Sequence, residues 1–204
     1  MGNTAVRGRP RRPAPPAGIL LTPGAGASAD HPSLLALESS LTAVGVAARR
    51  IDFPYRLAGR RAPDRPAVLV AAVVTGAEEL AEDLGVPIGS IAVGGRSMGG
   101  RMCSMAVADG LAAAALVLVS YPLHPPGHPE KRRTDHFPRL GIPCLFVSGT
   151  RDAFGTPAEL EAATAAIPGP VTHRWIEGGD HGLRRRDGEV AEIVARWIAG
   201  RFDA

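Results

Sequence analysis

Ser97 lies in Gly95-Arg96-Ser97-Met98-Gly99, a G-x-S-x-G pattern that follows an apolar run and precedes a segment with helical spacing. In that pattern a serine sits on a sharp strand-to-helix turn, and its neighbours must be small so that the strained backbone meets nothing. A serine hydroxyl is a poor nucleophile at neutral pH. It needs a histidine base, and the histidine needs a carboxylate to fix its tautomer and stabilise its charged form. Asp152 follows the apolar run 143–148, and His181 follows the run 171–176 within Gly179-Asp180-His181-Gly182. The order Ser97, Asp152, His181, each just past a strand-length run, predicts a nucleophile, an orienting acid and a base. Asp180 is assigned to shaping the turn.

Attack on a carbonyl also requires donors for the developing oxyanion. The backbone N–H of Met98, at the start of the nucleophile's helix, is one expected donor. The small-residue loop Leu20-Leu21-Thr22-Pro23-Gly24-Ala25-Gly26 supplies the other, with Ala25 preferred and Gly26 second. Gly26, Arg96 and His124 are assigned to the substrate-binding surface. Arg96 has an alternative role, bracing the elbow through backbone carbonyls, and this is the preferred one. Asp30 and His31 are expected in the turn before the second helix, with a pocket role open.

Positioning these residues demands a particular architecture. Apolar runs recur at 19–22, 46–53, 90–94, 114–120, 143–148 and 171–176, and helical spacing recurs at 33–44, 64–84, 98–110, 157–167 and 188–202. Near-continuous apolar strands alternating with helices predict an α/β fold, a mostly parallel sheet of about six strands flanked by helices. Thr156, Pro157 and Glu159 form an expected N-cap, N1 and N3, Pro66 opens a helix and Gly85 stops one. The Pro- and His-rich segment 121–137 reads as an excursion beyond a strand's C-terminal edge, where open α/β sheets bind ligands.

Other chemistries fit less well. Gly24-x-Gly26-x-x-Ala29 with Asp52 imitates a dinucleotide fingerprint, but Pro32 delays the helix to about Ser33, too late to cradle a pyrophosphate. Gly94-to-Arg101 lacks the lysine and hydroxyl of a P-loop. His124, His128 and His136 have irregular spacing without thiols nearby, so no metal is expected, and no cofactor is implied. Cys103 and Cys144, the only cysteines, each lie in apolar segments without C-x-x-C spacing and are expected to be buried free thiols.

The 204 residues, 45% hydrophobic and 21% charged, suit one globular domain at 18–204. A Pro/Arg-rich arm at 1–17, with Arg7, Arg9, Arg11 and Arg12 and no acid, is expected to be disordered and solvated. The net charge is only +3 and the arm has no aromatic residue, which disfavours nucleic acid as a partner. Arg184 to Arg186 read as a solvated face. No run of about 18 apolar residues exists to span a membrane, and Arg11-Arg12 lacks the apolar stretch and cleavage site of an export signal, so a cytoplasmic location is expected.

Together these segments resemble the α/β-hydrolase superfamily and, within it, small dienelactone-hydrolase-like proteins. Leu21-to-Ala27, Phe53-Pro54-Tyr55, Gly94-to-Met102, Tyr121-to-His136, Gly149-to-Thr156 and Gly179-to-Leu183 are similar to a compact bacterial subfamily. Its eukaryotic relatives include a testis-expressed protein and a subunit of a histone-acetyltransferase regulatory complex. The resemblance spans about residues 18–200 and implies a triad of Ser97, Asp152 and His181. Two departures stand out. Pro23 replaces a histidine that relatives carry in the first loop, and the first two, antiparallel strands of the superfamily sheet are either absent or lost to a misassigned start codon. The expected activity is a serine hydrolase acting on a small carboxyl ester, thioester or lactone; the alternative is a non-catalytic binding or interaction module on the same scaffold, which Pro23 and the basic arm would support.

Overall fold

A computed structural model of the chain describes residues 15–200. The expected basic arm lies outside the described residues up to residue 14. Pro16 is already buried, and the Ala17 N–H donates to the Ser90 carbonyl at 2.9 Å.

The six expected strands form one sheet: β1 (Gly18–Thr22), β2 (Ala47–Arg50), β3 (Ile91–Arg96), β4 (Leu116–Val119), β5 (Cys144–Gly149) and β6 (Val171–Ile176). Their order is β2-β1-β3-β4-β5-β6, and the pairings among the described residues are all parallel. The helices are α1 (Pro32–Ala43), α2 (Pro54–Leu57), α3 (Pro66–Leu84), α4 (Met98–Ala108), α5 (Pro157–Thr164) and α6 (Asp187–Ala199). Strand residues alternate between two cores. Ile19, Leu21, Val117 and Val147 face α1 and α6, whereas Leu20, Val93, Leu118 and Phe146 face α3, α4 and α5. Burial on both faces is why β1, β4 and β5 are apolar at nearly every position.

Local chemistry sets the ends much as expected. Thr156 and Glu159 form a reciprocal capping box at α5, and Gly85 closes α3 in a left-handed conformation at φ 64°. Strand β2 is shorter than its apolar run because Phe53 and Pro54 begin α2. Helix α1 begins one residue earlier than expected, with His31 as its N-cap and Pro32 at N1.

From β1 the chain goes one way to β2 and returns past β1 to β3, so strand order reverses between β1 and β3. The loops after these two strands therefore flank a crevice at the C-terminal edge of the sheet. Here β1 and α4 touch almost backbone to backbone. A Cβ at Gly99 would lie 2.5 Å from the Pro23 carbonyl oxygen and 2.6 Å from that of Thr22, and one at Gly95 would collide with Thr22 as well. No side chain can yield there. Gly99→Ala is therefore expected to cost about 1–3 kcal/mol or more, seen as a lower midpoint in thermal melting. Gly188→Ala, where a Cβ meets nothing within 4 Å, is expected to leave stability unchanged or raise it by about 0.5–1 kcal/mol.

After β4 the excursion returns to β5 through a short 3-10 turn at Phe137–Arg139. His136 is buried beside it, with Nε2 2.7 Å from Ser104 Oγ. Burial first, then the charges of Arg101 and Arg139, push this imidazole down to about 4. A depressed folded-state value means that the unfolded chain binds the proton more readily, so the contribution is complete above about pH 6.5 and is lost as pH falls toward 4. Denaturant unfolding from pH 7 to 4.5 is expected to show this loss, with a shallower pH slope in His136→Gln.

Candidate active site

Strand β3 ends at Arg96 and α4 begins at Met98, leaving Ser97 alone at the turn with φ 50° and ψ −117°. Non-glycine residues seldom adopt such a backbone, at a cost of about 1–3 kcal/mol. Its N–H donates to the Val119 carbonyl of β4 at 2.8 Å, which fixes the turn against the sheet. The Ser97 hydroxyl stands clear of the strand, with Oγ 2.8 Å from His181 Nε2.

His181 arrives from the loop after β6, and Asp152 from the loop after β5. The Asp152 side chain is 1% exposed, and its Oδ2 and Oδ1 lie 2.8 and 3.0 Å from His181 Nδ1. A carboxylate at that distance accepts the Nδ1 proton, which leaves Nε2 free to accept one from Ser97. The Phe154 N–H donates to Asp152 Oδ1 at 2.8 Å, and the Phe154 ring stacks on His181 at 4.0 Å between centroids. The carboxylate and imidazole are thus held from two sides. Arg96 secures the histidine loop from the third, its Nη2 donating to the carbonyls of His181 at 3.1 Å and Gly182 at 2.8 Å. Its Nη1 donates to His31 Nε2 at 3.3 Å. Burial first and then Arg96 hold that histidine below its ordinary range.

The loop after β1 lies over the serine: a Cβ at Gly24 would sit 3.6 Å from Ser97 Cβ. Tyr55, fully buried in α2, accepts the Gly26 N–H on its hydroxyl at 3.1 Å. Asp52 accepts the Ala29 N–H at 2.8 Å, and Arg50 donates to the Ala29 carbonyl at 2.6 Å and pairs with Asp30 at 2.8 Å. Pro23 is buried within a loop that has these separate anchors. The same bonds explain the false dinucleotide signature, since Asp52 closes this loop and α1 begins eight residues after Gly24.

Among the described residues, the N–H groups of Ala25 and Met98 donate to no protein acceptor. Both residues line a cavity of about 520 Å³ that also contains Ser97, His181 and Arg96. Asp152 sits behind His181, out of the cavity. Gly26 and His124 are not among the residues that line it. The Gly26 N–H is taken by Tyr55, and His124 is buried with Nδ1 2.9 Å from the Pro125 carbonyl, its N–H tying the excursion to Phe154. His128 faces Glu130 and His136 faces Ser104, and no metal-binding set converges among the described residues. Arg184 and Arg185 are exposed. Cys103 and Cys144 are buried free thiols, and burial pushes each up to about 12.

Sequence reasoning passed over Tyr55, Phe154, Arg101 and Arg133. Arg101 had a signal, since it follows Ser97 by one helical turn on α4. The others depend on long-range loop contacts that no spacing encodes.

Comparison with known proteins finds relatives of this fold. Est1E from Butyrivibrio proteoclasticus is similar at a TM-score of 0.74, with 16% identity over 93% of this chain and 89% of that one. Dienelactone hydrolase from Anabaena variabilis is similar at 0.72, with 19% identity over 91% and 87%. An alpha-beta serine hydrolase homologue from Coxiella burnetii is similar at 0.71, with 19% identity over 88% and 83%. Those likenesses concern the fold. The family model of the alpha/beta hydrolase domain matches residues 15–197, from just before β1 into the last turn of α6, and this chain belongs to that family.

Proposed function

We propose that the protein is a serine hydrolase that cleaves a small carboxyl ester, thioester or lactone through an acyl-enzyme on Ser97, with the cytoplasm as its location. The observation that carries this reading is the unbroken chain from Ser97 Oγ through both nitrogens of His181 to the buried Asp152 carboxylate. Ser97 attacks the substrate carbonyl as its proton passes to His181 Nε2. Asp152 stabilises the imidazolium, and the Ala25 and Met98 N–H groups receive the oxyanion. Collapse of the tetrahedral adduct expels the alcohol or thiol, which takes the proton from His181. Water, activated by the same histidine, then releases the acid. A cavity of about 520 Å³ favours a small or partly exposed substrate.

The finer kinship with the testis-expressed and histone-acetyltransferase-associated proteins rests on sequence segments alone and adds no substrate. The alternative of a silent binding module drew on Pro23. Independent anchoring of that loop by Tyr55, Asp52 and Arg50 weakens its support.

A fluorophosphonate probe is expected to label the wild-type protein and not Ser97→Ala; equal labelling of the two, or none, contradicts the mechanism. Asp152→Asn is expected to lower kcat on 4-nitrophenyl acetate by on the order of 10⁴, because the histidine loses its tautomer control while the fold stays intact. Tyr55→Phe keeps the ring and removes the acceptor of the Gly26 N–H. It is expected to lower kcat about ten- to a hundredfold through misplacement of the adjacent Ala25 donor, with KM changed less than twofold, as measured by steady-state kinetics.

A further inference from the structure

Three guanidinium groups and one carboxylate line the cavity in front of Ser97: Arg96, Arg101, Arg133 and Asp64. Two of these four are committed elsewhere. Arg96 is bound to the carbonyls of the histidine loop, and Asp64 Oδ1 pairs with Arg60 Nη1 at 2.7 Å, while its Oδ2 is buried without a hydrogen-bond partner. Arg101 and Arg133 have no carboxylate partner among the described residues. Arg101 enters from α4, one turn past Ser97, and its Nε is buried without an acceptor. Arg133 enters from the excursion, whose backbone is fixed there. Its N–H donates to the Leu123 carbonyl at 2.9 Å, and its own carbonyl accepts the Tyr121 hydroxyl at 2.7 Å. The Arg133 guanidinium reaches only the Pro122 carbonyl, at 3.4 Å.

Burial and then the like charge of Arg101 work against the charge on Arg133. The neighbouring His136 is held neutral by its own burial, so it adds no further positive charge. Two half-buried cations beside each other and unpaired are costly in the free enzyme. A bound anion relieves that cost, and a guanidinium fork matches a carboxylate with two parallel hydrogen bonds.

We propose that Arg101 and Arg133 form the recognition site for a carboxylate carried by the substrate, so that the enzyme acts on esters bearing one free carboxylate within a few atoms of the scissile bond. This rests on the hydrolase reading above and specifies its substrate class. The carboxylate can belong to the acyl part, as in a half-ester of a dicarboxylic acid, or to the alcohol part; the chemistry of recognition is the same.

Two matched pairs separate these sources: mono-4-nitrophenyl adipate against 4-nitrophenyl hexanoate, and 4-acetoxybenzoate against phenyl acetate. The first places the carboxylate on the acyl side, the second on the alcohol side. In one pair the anionic ester is expected to have a kcat/KM at least about tenfold higher, and 0.5 M NaCl is expected to shrink the ratio. Arg101→Gln and Arg133→Gln are each expected to bring the ratio toward one. Arg133→Lys is expected to keep part of it, which separates charge recognition from a folding defect. A wild-type ratio of one or less in both pairs, in protein whose Ser97 is labelled by a fluorophosphonate, overturns the carboxylate site and leaves the hydrolase intact. A preference undiminished in both glutamine variants also overturns it. If no ester is turned over and Ser97 stays unlabelled, the failure belongs to the hydrolase reading itself.

Discussion

Ser97 is held at φ 50° and ψ −117° between β3 and α4, and the rest of the site depends on that strained residue. The conformation disfavours itself by about 1–3 kcal/mol, so the surroundings must impose it. Strand β3 is buried on both faces, α4 packs Met102, Cys103 and Ala106 into the core, and the Ser97 N–H is taken by Val119. Each large apolar side chain so buried contributes about 1.5–3 kcal/mol, so a few of them outweigh the strain. Close approach of α4 to β1 at Gly99 is the geometric condition, because a wider gap would swing the hydroxyl away from the crevice.

The sheet brings four loops to one edge, but hydrogen bonds between those loops set the distances on which chemistry depends. Arg96 links the elbow to the histidine loop, and Phe154 couples the acid loop to the imidazole by a hydrogen bond and a stacked ring. Tyr55 and Asp52 hold the first loop over Ser97. Such cross-loop bonds let short, irregular segments keep catalytic geometry without a rigid cap domain. They also explain how the first loop tolerates Pro23, since its shape is fixed at Gly26 and Ala29.

Readability from sequence followed the range of the interactions. The six strands, the cap at Thr156 and the stop at Gly85 rest on local periodicity and backbone chemistry, and they appear where expected. So does the Ser97, Asp152, His181 order, because each residue follows a strand end that its own apolar run marks. Gly26 and His124 depend on partners distant in sequence: the Gly26 N–H goes to Tyr55, and the His124 backbone N–H donates to the Phe154 carbonyl. Phe53-Pro54 cut β2 short for a local reason, since a proline that opens a helix ends a strand that hydrophobicity alone would extend. Tyr55 was visible as a residue but not as an anchor, because its partner lies 29 residues earlier in the chain.

The central claim is that acyl transfer passes through Ser97 with His181 as its base. Rapid quenching of the enzyme during turnover of 4-nitrophenyl acetate, followed by peptide mass spectrometry, addresses that claim most directly. The account predicts one acetyl group per chain on the peptide containing Ser97 during turnover. Acetyl on another residue, or turnover at the full rate with Ser97 never modified, would contradict it.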